Sequence, residues 1–210
     1  RVVDMILNDW NEVLAINLTG TMLCAREVLA TMIPRESGSI INIGSEAGRS
    51  GVPLRGPYCA SKWGIIGLTE TLAIEVGEHN IRVNCISPAF VKGERIDNFV
   101  KTKARALGIS HEEVMTTLTS DYSLKRIADP SEVASAAVFL ASDESSAVTG
   151  HTLVVNCGFH IVIMVTDSGL YSPLIFIILS AISSSACSQV IRSHFPSPRF
   201  PALLSGYFSL

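Results

Sequence analysis

Helix-like and strand-like hydrophobic patterns alternate along the first 160 residues. Residues 8–32 place Val13, Ile16, Leu23 and Val28 at roughly helical spacing, with Pro34 just beyond, and this predicts a core-facing helix. Gly38-Ser39 then leads into Ile40-Ile41-Asn42-Ile43, a short apolar run of the kind found in buried parallel strands. A glycine-rich loop covers 44–56. Residues 58–77 read as a second helix with Ala60, Ile65, Leu68, Leu72 and Val76 inward. Residues 81–86 form a second strand, stopped by Ser87-Pro88. The stretch 92–125 is polar with weak helical periodicity and is expected to be a mobile flap. Asp129-Pro130-Ser131-Glu132 is a helix start, with Asp as cap, Pro at the first position and Glu reaching back; this helix runs to about Leu140. Gly150 precedes a third strand at 152–155. Three strands separated by helices predict right-handed crossovers and an α/β fold, a doubly wound parallel sheet of Rossmann type.

Composition divides the chain into two parts. Of 16 Lys and Arg and 19 Asp and Glu residues, only Asp167, Arg192 and Arg199 fall in the last 50 positions. The expected organisation is therefore a patterned body over 1–160 and a poorly patterned tail over 161–210. Residues 173–182 are strongly apolar, but the run is short for a bilayer core and no Lys or Arg cluster flanks it. Translation through an intron or a shifted frame explains the tail better than a membrane anchor does. The chain has no initiator Met and starts within an element, so it reads as a fragment. A net charge of -3 argues against a nucleic-acid partner. Five cysteines without a CxxC pair fit reduced thiols in the cytoplasm, and the five scattered histidines make no metal-ligand spacing.

The chemistry concentrates in Tyr58-Cys59-Ala60-Ser61-Lys62. A Tyr and a Lys four apart share one helix face, so the ammonium can sit near the phenol. A phenol titrates near pH 10, and a neighbouring cation favours its ionised form, which suits acid/base work. Ser45 follows the first strand, and the carboxyl ends of parallel strands line the ligand crevice. Asn17 is a polar residue inside a helix otherwise facing the core. Glu46, Arg49 and Arg55 share the loop with Ser45 and read as solvated charges.

In the order and spacing of Asn17, Ser45, Tyr58 and Lys62 the chain resembles the short-chain dehydrogenase/reductase family. The stretches that carry the likeness are 17–20 (Asn-Leu-Thr-Gly), 38–45, 58–62, 81–88, and the 129–132 helix start leading toward Thr149-Gly150. The resemblance implies an NAD(P)-dependent oxidoreductase interconverting a secondary alcohol and a ketone. It makes Tyr58 the general acid/base, and gives Lys62 the tasks of lowering the Tyr58 pKa and holding the nicotinamide ribose. Ser45 would hold the substrate oxygen, Asn17 would anchor a water in the proton relay, and Pro88 and Val91 would lie beside the nicotinamide. It further implies NAD or NADP as cofactor, a small-molecule alcohol or ketone substrate, and a homo-oligomer formed through helices 8–32 and 58–77. The nearest branch is that of 3-oxoacyl-(acyl carrier protein) reductases. The glycine-rich fingerprint and first strands of such domains would precede Arg1. Four positions depart from the pattern: Ala89 and Gly93 stand where Gly and Thr are usual, and Asn156-Cys157-Gly158 replaces Asp-Gly-Gly. The alternatives are a catalytically silent remnant serving as an interaction module, and a membrane-tethered reductase.

Overall fold

The computed structural model describes residues 1–159; the tail read at 161–210 lies outside the described residues. The order is α1 (Leu7–Leu14), a π turn (Ala15–Thr19), α2 (Gly20–Met32), β1 (Gly38–Ile43), α3 (Gly56–Val76), β2 (Ile81–Pro88), α4 (Glu94–Leu107), α5 (His111–Thr119), α6 (Pro130–Ala141) and β3 (Thr152–Val155). The strands form one parallel sheet in the order β1-β2-β3. Gly38 pairs with Ile81 and Ile43 with Ile86, while Cys85 pairs with Thr152 and Pro88 with Val155. The three carboxyl ends therefore lie side by side.

β2 is central, and its two faces differ in chemistry. Ile81 and Val83 point into an apolar cluster with Ile40 of β1, Ala25 and Leu29 of α2, and Leu72, Ala73 and Val76 of α3. The alternate residues Arg82 and Asn84 point to the opposite face, as a period of two requires. There Arg82 donates to Leu140 O (2.8 Å), Ser142 O (3.1 Å) and Ser145 Oγ (2.7 Å), and Asn84 donates to Val148 O (2.8 Å). These bonds seat α6 and the connection to β3 on the face away from α2 and α3. Helices thus cover both faces, the doubly wound arrangement expected from the alternation.

The structure differs from the sequence reading at two elements. The helix over 8–32 exists, but Ile16 is 67% exposed, Leu23 and Val28 are exposed too, and the buried residues of its second half are Ala25 and Leu29. A π turn, closed by Gly20 N–H donating to Ala15 O, interrupts the run. It inserts one residue and so advances the helical phase by about 100°. The helical run Leu7–Arg35, with mean hydropathy 1.4, is long and apolar enough to cross a membrane by length and composition. In this fold Ala25 and Leu29 on that run are packed against the sheet.

The stretch 92–125, read as polar with weak helical periodicity, is helical and carries buried residues of its own. It folds into α4 and α5, whose Ile96, Val100 and Val114 bury with Tyr122 and Ile127 in a second core. Ser110 and Glu113 close a capping box at the start of α5. At the start of α6 the Glu132 carboxylate accepts the Asp129 N–H at 2.8 Å, as the sequence implied.

Candidate active site

Lys62 links α3 to the carboxyl end of β1. Pro57 sits in the first turn of α3, where its missing N–H costs nothing, and the turn after it presents Tyr58 and Lys62 on one face. The Lys62 ammonium donates to Ile43 O, the last residue of β1, at 2.8 Å. It lies 5.8 Å from the centroid of the Tyr58 ring, with the Arg55 guanidinium at 6.0 Å from the same centroid. Burial holds the Lys62 pKa below the usual lysine range, and the Cys85 thiol opposes that shift. Cys85 is wholly buried beneath this point, and burial pushes its thiol pKa up.

Ser45 lies two residues beyond Ile43. Its backbone is extended and its Oγ accepts from Ala47 N–H at 3.2 Å, opening a 3-10 turn over Glu46–Gly48. That turn is set hard against α3, because a side-chain carbon at Gly48 would fall 2.6 Å from Lys62 O. β1 and the Gly48 contact therefore set the turn that bears Ser45 against the helix that bears Tyr58 and Lys62.

Asn17 belongs to the π turn. Its Nδ2 donates to Ser61 Oγ (3.0 Å), and Ser61 Oγ donates in turn to Tyr58 O (2.8 Å). Asn17 thereby grips α3 between Tyr58 and Lys62 through a fully buried serine that the sequence did not single out. Pro88 ends β2 opposite Val155. Val91 forms a parallel bridge to Ala128, in which Ala128 N–H donates to Phe90 O and Lys92 N–H donates to Ala128 O. The flanking residues make those bonds, so the Val91 amide and carbonyl turn to the other side.

Two residues named in the sequence reading take a role it did not give them. Glu46 is buried rather than solvated, and Asn156 Nδ2 reaches it at 3.0 Å from beyond β3. A carboxylate beside a loop serine looks like an ordinary surface charge, and a partner 110 positions away leaves no local signal.

A family model described as enoyl-(acyl carrier protein) reductase matches residues 1–160. A solved short chain dehydrogenase family protein from Francisella tularensis superposes with a TM-score of 0.67 at 27% identity, covering 76% of this chain and 65% of that one. The chain belongs to the short-chain dehydrogenase/reductase family. Among curated members it is 39% identical over 150 residues to nodulation protein G of Rhizobium meliloti, covering 71% of this chain and 57% of the relative. It is 37% identical over 155 residues to the 3-oxoacyl-[acyl-carrier-protein] reductase FabG of Vibrio harveyi, covering 74% and 59%. The chain thus spans less than two thirds of the length of these relatives. A 3-oxoacyl-[acyl-carrier protein] reductase from Brucella melitensis with bound NAD matches with a TM-score of 0.64 and 33% identity, covering 77% of this chain and 55% of that one. ElxO with NADP bound matches at 0.66 and 27%, covering 75% and 60%. Members of the family thus carry either nicotinamide cofactor.

Proposed function

We propose that this short-chain dehydrogenase/reductase is an NAD(P)-dependent oxidoreductase that interconverts a secondary alcohol and a ketone, with Tyr58 as general acid/base. The observation that carries this reading is the half-buried Lys62 ammonium, anchored on Ile43 O within 5.8 Å of the Tyr58 ring, beside the turn that bears Ser45. Reduction of a ketone builds negative charge on its oxygen. A phenol and a serine hydroxyl aimed at that oxygen would stabilise the charge and deliver the proton.

The residues present suit a nicotinamide cofactor. Three parallel strands end together, Val91 turns an amide and a carbonyl away from its bridge partner, and the Lys62 ammonium stands at the end of β1. Tyr58, Lys62, Pro88 and Val91 are the residues proposed to hold it, and the bound cofactor would supply the hydride. Asn17, through Ser61, would hold the Tyr58 turn in place, and a water on Asn17 would replenish the Tyr58 proton. Self-association through helices 8–32 and 58–77 is supported by the apolar residues they expose: Ile16, Leu23, Val28, Trp63 and Ile74. The unpaired Cys24, Cys59, Cys85 and Cys157 support a reducing, cytoplasmic setting.

The test is steady-state turnover of the full-length protein with NADH and with NADPH, offered a 3-oxoacyl thioester and simple ketones. Tyr58→Phe should lower kcat by about 10²- to 10⁴-fold while cofactor affinity, read by nicotinamide fluorescence, is retained. Lys62→Ala should weaken both. An unchanged kcat in Tyr58→Phe would remove the phenol from the reaction.

A further inference from the structure

Glu46 follows Ser45 directly, yet it is 6% exposed. A buried carboxylate is costly unless it is paired and hydrogen-bonded, so its retention here calls for a physical reason. Its Oε1 accepts from Asn156 Nδ2 at 3.0 Å and from Arg49 Nη1 at 3.3 Å. Asn156 spends the rest of its amide locally: Nδ2 also donates to Phe159 O at 2.8 Å, and Oδ1 accepts Gly158 N–H at 2.9 Å. Those partners fix the orientation of the amide, because a carboxylate and a carbonyl only accept and an N–H only donates. The Glu46–Asn156 bond therefore ties the turn after β1 to the turn after β3, across the end of β2.

We propose that Glu46 is a positioning residue for Ser45, and that Asn156 is the uncharged hydrogen-bond donor that holds its buried carboxylate in place. The inference rests on the assignment of Ser45 to the reacting oxygen. Ser45 Oγ is committed to Ala47 N–H in the same turn, so any rotation of Glu46 out of its seat carries the serine with it. The groups facing Glu46 come from three elements. Arg49 lies on its own turn and Asn156 on the exit of β3. Tyr122, whose phenol pKa is raised chiefly by burial and in part by the Glu46 charge, follows α5; the Lys62 ammonium of α3 is turned to Ile43 O instead. Arg49 is the one cation in hydrogen-bonding contact with the carboxylate among the described residues, and the Asn156 amide adds a donor without adding charge. An aspartate at 156 would set two carboxylates about 3.0 Å apart, and such a pair cannot ionise fully.

The experiment compares the full-length wild type with Asn156→Asp, Glu46→Ala, the exchanged double variant Glu46→Gln/Asn156→Asp, and Ser45→Ala. Thermal unfolding is followed from pH 5 to 8, and kcat and KM are measured over the same range. In Asn156→Asp the shared proton raises a carboxyl pKa in the folded state. The stability of that variant relative to wild type should therefore be fullest at the acid end and fall as pH rises. Its kcat should fall with pH by about 10- to 100-fold, the scale of a misplaced catalytic group, with cofactor KM unchanged. Glu46→Ala should lose kcat at every pH, and the exchanged double variant should recover part of the stability and kcat lost in Asn156→Asp, since the bond to Phe159 O stays broken. A pH-independent loss in Asn156→Asp, or no recovery in the double variant, overturns the inference. If Ser45→Ala is impaired but Asn156→Asp turns over normally at all pH values, the positioning role alone fails. If Ser45→Ala keeps full kcat, the catalytic reading of Ser45 fails instead, while the unfolding curves still report the Glu46–Asn156 coupling.

Discussion

Gly48→Ala tests the packing that sets the turn bearing Ser45 against α3. The added methyl would lie 2.6 Å from Lys62 O, 2.7 Å from Lys62 C and 3.2 Å from Lys62 Cβ. Two of these three atoms are main chain, so no flexible side-chain tip can swing aside. Restoring an ordinary contact of 3.4 Å requires the turn and α3 to separate by about 0.8 Å. A shift of that size, applied to the 2.8 Å bond from Lys62 Nζ to Ile43 O, takes it beyond hydrogen-bonding range. Overpacking of this kind costs about 2 kcal/mol, a Tm decrease of about 4–8 °C for a domain of this size. Scanning calorimetry or chemical denaturation of the full-length protein measures the loss, and turnover should drop with it. Gly51→Ala is the control. It lies in the same loop, and an added carbon there would meet nothing within 4 Å. Equal Tm values for Gly48→Ala and Gly51→Ala would refute the reasoning.

Other perturbations read out different parts of the fold. Leu54, in the loop before Tyr58, is exposed and holds a left-handed φ of 65°, which strains a bulky residue. Leu54→Gly should raise stability by about 1 kcal/mol in an unfolding titration, whereas Leu54→Ala, which keeps the Cβ, should not. Gly158→Ala should destabilise. It combines a φ of 78° with a new carbon 2.5 Å from Ser123 Cβ, and the loss would appear as a lower Tm. Glu132 is held well below the usual carboxylate range, at about 2, chiefly by its paired hydrogen bonds from Arg126 and then by the Asp129 N–H. A depressed folded pKa contributes stability above the unfolded value near 4.3 and loses it as pH falls toward 2. Glu132→Gln should therefore flatten the acid limb of the stability curve in that interval, and a limb of unchanged slope would show that the pair carries no pH dependence.

Most elements were legible because their patterns are local. Residues 81–86 alternate apolar and polar positions and 152–155 carry a short apolar run, both beside turn residues, and the structure places β2 and β3 there, with β2 extended to Pro88. The Asp129-Pro-Ser-Glu132 signal marked the start of α6, with its Glu132 contact intact. The facing of residues 8–32 was not legible, since one extra backbone residue at the π turn breaks a strict period of 3.6. α4 was read as polar because only Ile96 and Val100 of its fourteen residues are buried, too few to stand out from the lysines and arginines around them. In the site, Tyr58 and Lys62 announce themselves by their spacing. The contacts that seat them are non-local: Ile43 O under Lys62, Lys62 O against Gly48, and Asn156 on Glu46.

The π turn gives a single helical rod two different jobs. Its first half and the turn lie along α3, where Asn17 holds the turn of Tyr58, whereas its second half lays Ala25 and Leu29 onto the sheet. Excising one residue from Ala15–Thr19 would leave a regular helix of good propensity while rotating one half about 100° against the other. The rod could then satisfy α3 or the sheet but not both. At this position a change in chain length would therefore do more harm than almost any change of side chain.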